Sequence, residues 1–171
     1  MAFTTSAPSQ SEGMIDIYNI DWSVGQVGNN VRDDVMLVQA LFRIFYYEML
    51  GFNDNFDPPP GETKVIEVDG YAGPATRRHI IHFQTQGVKR GWNLKLDGIF
   101  DPFRQHGQRS LISRTFYAMD FLNANARNSC KLQGADNYTK LPHREDIPLL
   151  LRSALKTHKS TATKYFGDGS V

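Results

Sequence analysis

Apolar residues recur at helical spacing in three stretches of the chain. Val35, Val38, Leu41, Phe42, Phe45 and Met49 fall on one face, which predicts a helix capped by Asp33 or Asp34 and running to about Leu50, with Gly51 as its stop. Thr76, Ile80 and Phe83 share a face in a second segment from Pro74 to about Gln86, where Gly87 is placed to end it. Leu111, Ile112, Thr115, Phe116, Met119 and Leu122 line one side of a third, which opens at Pro102 and reaches Ala126, with Gly107 placed to divide it early. Three such faces turned inward make a core. A shorter helix is expected from Pro148 to Lys159, with Asp146 at its start and Lys156, His158 and Lys159 at its carbonyl end, where positive charge is favoured. Its stripe of Leu149, Leu150, Leu151, Ala154 and Leu155 must fold back or dock on a partner. Folding back is the favoured expectation, because exposed leucines are a solubility liability.

Outside these stretches the pattern changes. Residues 1–13 are rich in Ser, Thr, Pro and Gln and read as flexible, whereas Met14 to Ile20 alternates apolar with polar, as a short edge strand or extended lead-in would. Trp22 is positioned to pin that lead-in to the core. Gly25, Gly28, Asn29 and Asn30 form a loop, and Pro58-Pro59-Pro60-Gly61 makes the segment from Asn53 to Glu62 another. Lys64 to Val68 reads as a short strand, and Ser160 to Val171 as loosely held.

The most specific local signal is a repeated turn. Asp69-Gly70-Tyr71-Ala72-Gly73-Pro74 and Asp97-Gly98-Ile99-Phe100-Asp101-Pro102 share a glycine suited to positive φ and a proline suited to the first helical position. Each therefore predicts a helix start. The first copy continues through Thr76, Ile80, Phe83 and Gln84, and upstream lies Asp34-Val35-Met36-Leu37-Val38-Gln39-Ala40-Leu41-Phe42, with Ser23-Val24-Gly25 and Asn30 before it. Over 23–104 this arrangement resembles the small bacterial peptidoglycan-binding domain found beside cell-wall hydrolases and in secreted or phage-like proteins. Two positions depart from the family pattern: His79 replaces a small residue, and Asp101 replaces the second copy's glycine.

The resemblance implies a mainly α fold, a small three-helix bundle of the peptidoglycan-binding type with a C-terminal helical extension. The expected division is a flexible or extended lead-in over 1–22, the helical domain over 23–127, and an extension over 128–171 carrying the short amphipathic helix. It also implies a non-catalytic function: binding of peptidoglycan or a muropeptide, with delivery of an exported or phage-like bacterial assembly to the wall. The other reading is a protein–protein adaptor, or a structural component of a secretion apparatus or phage-like particle, holding its partner through the C-terminal helix.

Composition narrows the chemistry. The 171 residues are 40% hydrophobic and 12% aromatic with a formal charge of +1, the profile of an ordinary globular chain with no overall field for nucleic acid or membrane. One cysteine, Cys130, excludes an intramolecular disulfide. The N-terminus has no basic start followed by an apolar run, and no apolar run of membrane-spanning length occurs. The expectation is a protein cytoplasmic as synthesised, reaching the wall by a dedicated injection machine or by lysis, if it does so at all.

Enzymatic machinery is not expected. His79 and His82 stand at i, i+3, but no His-Glu-x-x-His, clustered cysteine or third ligand accompanies them, so neither a metal nor another cofactor is called for. No Gly-x-Ser-x-Gly elbow occurs, Cys130 and His143 lie in a segment poor in core residues, and Glu67 with Asp69 reads as a solvated edge. Peptidoglycan offers sugar hydroxyls, acetamido groups and a stem carboxylate, so a binding surface needs aromatic platforms, amides and a cation. Tyr71, Arg77, Arg78 and Gln84 supply that mixture around one helix start, with Gln39, Arg43, Tyr46 and Tyr47 as the opposite wall. The competing use of Gln39 and Gln84 is to bridge helices, and of the tyrosines to pack the core.

Overall fold

The computed structural model describes residues 1–160. The expected loose tail from 161 onward lies outside the described residues. The chain begins with an antiparallel hairpin, β1 (Phe3–Ser9) and β2 (Gly13–Asn19), whose three-residue turn closes on Gly13 at φ 75°, the left-handed position such turns require. A two-residue strand β3 (Val24–Gly25) pairs antiparallel with β4 (Ile99–Phe100). The α-helices are α1 (Arg32–Phe42), α2 (Pro74–Lys89), α3 (Ala118–Gln133) and α4 (Leu149–Leu155).

The mainly α three-helix bundle is therefore corrected to a mixture: four α-helices and two small antiparallel sheets among the described residues. The hairpin is the main departure. Residues 1–13, read as flexible, contain β1, with Ala2, Phe3, Thr4, Thr5 and Ala7 buried. Polar composition misled because the polar groups of Thr4 are satisfied by residues far along the chain. The Thr4 hydroxyl donates to the Leu155 carbonyl, and the backbone of Thr4 exchanges bonds with Thr157 and Lys159. The other edge of the hairpin is closed by one asparagine. Asn123 of α3 accepts from the Tyr18 N–H and donates to its carbonyl, imitating a neighbouring strand. Trp22 does not pin this region; it is exposed.

α1 is buried almost throughout and forms the axis of the core. Asp33 and Asp34 do not cap it. Asp33 accepts from the Ala2 N–H, and Asp34 from the N–H groups of Asp21 and Trp22, so the two carboxylates fasten the chain's first residues and the approach to β3. After Phe42 the helix widens into a π-helical turn, Arg43–Glu48. Around this axis Phe42, Phe45, Tyr46, Phe56, Phe83 and Phe100 are buried in an aromatic cluster bounded by Trp92. Such clusters supply much of a small core's apolar burial.

α2 starts at Pro74 as expected but passes through Gly87 to Lys89. Gly87 serves contact rather than termination: a Cβ there would stand 2.5 Å from the Trp92 ring. Lys64 to Val68 forms no strand, with Ile66 alone buried. The third helix is shorter than expected. Residues 101–117 are irregular, Leu111 and Ile112 point to solvent, and α3 begins only at Ala118. α4 spans less than expected; Leu151, Ala154 and Leu155 pack inward while Leu149 and Leu150 stay exposed.

Candidate functional site

The two Asp-Gly turns are built alike from the residues upward. At the first, the Asp69 carboxylate accepts from the Tyr71 N–H at 2.8 Å, closing a local Asx turn, while Gly70 takes φ 77°. Gln39 then clamps the turn from α1. Its Oε1 accepts from the Gly70 N–H, and its Nε2 lies within bonding distance of Asp69 Oδ1, the Tyr71 carbonyl and Thr76 Oγ1. At the second, Asp97 accepts from the Ile99 N–H, and Gln84 of α2 accepts from Gly98 while donating to Asp97 and the Ile99 carbonyl. Both glutamines are buried. Each spends its amide on a turn, the bridging use weighed against binding, although Gln39 also borders a cleft beside the first turn. Their position within apolar helix faces is the signal that points to this role.

The remaining expected residues separate into three places. Arg43 lies away from the first turn, in an ion cluster where Glu48 receives Arg43 and Arg144, and Asp146 receives both arginines. Arg144 holds the Asp146 carboxyl below the usual range, and Glu48 is likewise lowered despite its burial. Tyr46 is fully buried, and its hydroxyl donates to Gln86 Oε1 at 2.6 Å. Desolvation pushes its ionisation well up. Tyr47 is half-buried and bonds His79 Nε2 at 2.8 Å.

That bond settles the role of His79. Its Nδ1 lies 2.8 Å from the Ala75 carbonyl, which only accepts, so Nδ1 carries the proton and Nε2 accepts from the Tyr47 hydroxyl. Burial lowers the pKa of the imidazole below the ordinary histidine value. The ring thus fills the small-residue slot as a neutral core group. His82 instead bonds the Asp57 carbonyl. No cluster of three metal-binding side chains occurs among the described residues. Cys130 is buried, and desolvation raises its thiol pKa away from the reactive range.

Tyr71, Arg77 and Arg78 stay at the first turn, exposed. Tyr71 is 69% accessible, and its ring lies across Gly73, where an added Cβ would stand 2.4 Å from Cε1. Arg78 Nε donates to Glu62 at 2.6 Å, bolting the 62–67 segment beside α2. Between that segment and the start of α2 lies an open cleft of about 250 Å³, lined by Gln39, Lys64 and Tyr71 together with the carboxylates Glu62, Glu67 and Asp69. α2 has no side-chain cap at Gly73, and its first residue, Pro74, carries no N–H, so the N–H groups of Ala75 and Thr76, both in the cleft lining, have no cap. Lys64, a cation within the cleft, is a residue the sequence reasoning missed; only its place in a segment bolted to α2 reveals it.

Compared with known proteins, the chain matches no family model, no curated protein and no solved structure. Among the described residues no helix is long and apolar enough to cross a membrane.

Proposed function

We propose that the protein is a non-catalytic binding domain whose first Asp-Gly turn presents a cleft to peptidoglycan fragments. One observation carries this reading: the Gln39-clamped turn holds an exposed tyrosine flat against Gly73, beside an open cleft at the uncapped start of a 16-residue helix. The combination suits a muropeptide. The Tyr71 ring is a platform for a sugar face, Glu67 can accept from sugar hydroxyls and acetamido N–H groups, Lys64 is the cleft's cation for a stem carboxylate, and Arg77, which has no ion pair among the described residues, stands on the adjacent helix face. The resemblance over 23–104 points to the same ligand class. Delivery to the wall would then follow a non-classical export route.

Retention on insoluble peptidoglycan tests it. The intact chain should pellet with the polymer, and Tyr71→Ala should cut retention at least tenfold. Gly73→Ala should do the same without removing any side chain, because the new methyl displaces the ring. Unchanged retention in both variants would contradict the reading.

The adaptor reading has its own observation, the exposed pair Leu149 and Leu150 on α4. Deleting 145–171 would not test it cleanly, since Ile147, Leu151 and Leu155 belong to the core. A partner lost on the double change Leu149→Ser and Leu150→Ser, with no retention on peptidoglycan, would favour the adaptor.

A further inference from the structure

The segment between the second Asp-Gly turn and α3 folds into a hairpin-like tip that the proposed function does not use. Ser110 and Thr115 close it: the Ser110 N–H donates to the Thr115 carbonyl at 2.8 Å, and the Arg114 N–H to the Ser110 carbonyl at 3.0 Å, with Arg114 at φ 62°. At its apex stand Leu111, 66% accessible, and Ile112, 91% accessible, the most exposed aliphatic side chain among the described residues. The tip is held rather than loose. Ser110 Oγ accepts from the N–H groups of Ile112 and Ser113, Ser113 Oγ bonds Thr115 Oγ1, and Phe116 anchors the base by pairing with Asn93 and packing on Phe121.

The tip segment itself carries charge of one sign. From Phe103 to Met119 the chain carries Arg104, Arg109 and Arg114 and no Asp or Glu. The Arg109 guanidinium lies over the Phe116 ring at 4.9 Å. Asp97 and Asp101 line a cleft together with Ser110, Ile112 and Ser113 of the tip, Asp97 being paired with Lys95, and Asp120 at the start of α3 is engaged by His106 and the Gly107 N–H. The chain's near-neutral total therefore hides a run of three arginines in the segment that presents two aliphatic side chains.

The geometry points to a membrane-docking element: the Leu111–Ile112 tip inserts into the interface of a bilayer bearing anionic headgroups, with Arg109 and Arg114 on the phosphates. Three features select lipid over other partners. Two adjacent aliphatic side chains offer far less area than the roughly 800 Å² per side of a stable protein interface, but suffice to enter a headgroup layer. Backbone N–H groups at the apex are already bonded to serine hydroxyls, which lowers the cost of leaving water. Aromatic side chains that could stack on bases, Phe116 and Tyr117, are half-buried at the base rather than presented at the apex. The element lies on the surface of the bilayer and needs no spanning helix, and it stands independently of the peptidoglycan reading.

Co-sedimentation of the intact chain with large unilamellar vesicles tests it. Vesicles of phosphatidylcholine with about one-third phosphatidylglycerol should retain the protein, with phosphatidylcholine alone at least tenfold weaker. The double change Leu111→Ser and Ile112→Ser should reduce binding about tenfold or more. Arg109→Gln and Arg114→Gln should each reduce it about fivefold, the equivalent of ~1 kcal/mol per cation near an anionic surface. These side chains are outside the core, so circular dichroism and thermal midpoints should stay at the parent values. No binding to anionic vesicles, or binding that the serine pair leaves unchanged, would overturn the proposal. So would self-association of the parent chain that the serine pair abolishes, since the tip would then be an interface between copies.

Discussion

The two Asp-Gly turns share an Asx closure, a positive-φ glycine and a glutamine clamp, yet only one launches a helix. After the first, Pro74 opens a 16-residue α2. After the second, Pro102 leads into extended and irregular chain, because Phe103 is claimed elsewhere. Its side chain is fully buried, its carbonyl accepts from Asn19 Nδ2 at 2.8 Å, and its N–H donates to Asn19 Oδ1 at 3.3 Å. The last residue of β2 thus takes the carbonyl that a helix would have used and fixes the neighbouring N–H as well. The second turn is also paired on its far side, where β4 meets β3 and the Gln26 N–H donates to the Gly98 carbonyl. One turn is consumed by tertiary contacts; the other leaves its ring and helix start open. A local motif therefore specifies a corner, and its neighbours decide whether that corner is structural or displays a surface.

The sharpest way to break this contrast is at Gly25, which buttresses only the second turn. It sits at φ 140° with no room for a side chain, since a Cβ would fall 2.1 Å from the Gly98 carbonyl oxygen. Gly25→Ala should cost more than about 4 kcal/mol, read from urea midpoints. The clamps come next. Gln39→Ala, Gln84→Ala and Asn19→Ala each leave buried backbone groups unpaired and should cost about 2–3 kcal/mol. Gln39 and Gln84 share no partner, so their losses should add; a clear shortfall in the double variant would mean the turns act as one unit.

Asp34 adds a pH signature at the approach to β3. Burial pushes its carboxyl up to about 6 in the folded state, with the N–H groups of Asp21 and Trp22 and the chain's terminal ammonium opposing that rise, and the Asp33 carboxylate adding to it. The folded chain then holds a proton that the unfolded chain has released between about pH 4 and 6. Stability from this group is present below that window and lost as pH rises through it. Asp34→Asn should remove this slope, gaining roughly 2 kcal/mol on the parent between pH 4 and 7 in paired denaturation curves. The smallest effect is expected at the open turn. Gly73 has an ordinary φ of −79°, and only the movable Tyr71 ring occupies its Cβ position. Gly73→Ala should change stability by less than about 0.5 kcal/mol while displacing that ring.

These contrasts explain what could be read from the chain alone. Helical spacing located α1 and the start of α2, and the Asp-Gly pairs located both corners, because these depend on neighbours a few residues away. The hairpin was hidden because its edges are closed by Asn123, Thr157 and Lys159, which are distant in sequence from the strands they serve. The long-range bond from Asn19 to Phe103 hid the loss of the expected helix at Pro102. At the candidate site, the nearness of Tyr71, Arg77 and Arg78 was legible because the turn holding Tyr71 leads directly into the start of α2, which carries both arginines. Arg43 and Tyr46 were misplaced because a shared helix does not reveal a shared face once the helix widens at Arg43–Glu48. Lys64 was missed because the ion pair between Arg78 and Glu62 that positions its segment is a tertiary fact.

The most direct test of the contrast is an amide chemical-shift titration of the intact chain with a soluble disaccharide-peptide fragment of peptidoglycan. The account predicts saturable shifts at Lys64, Tyr71, Gly73, Ala75 and Thr76, with residues 97–101 unmoved. Shifts centred on 97–101, or none at either turn, would contradict it.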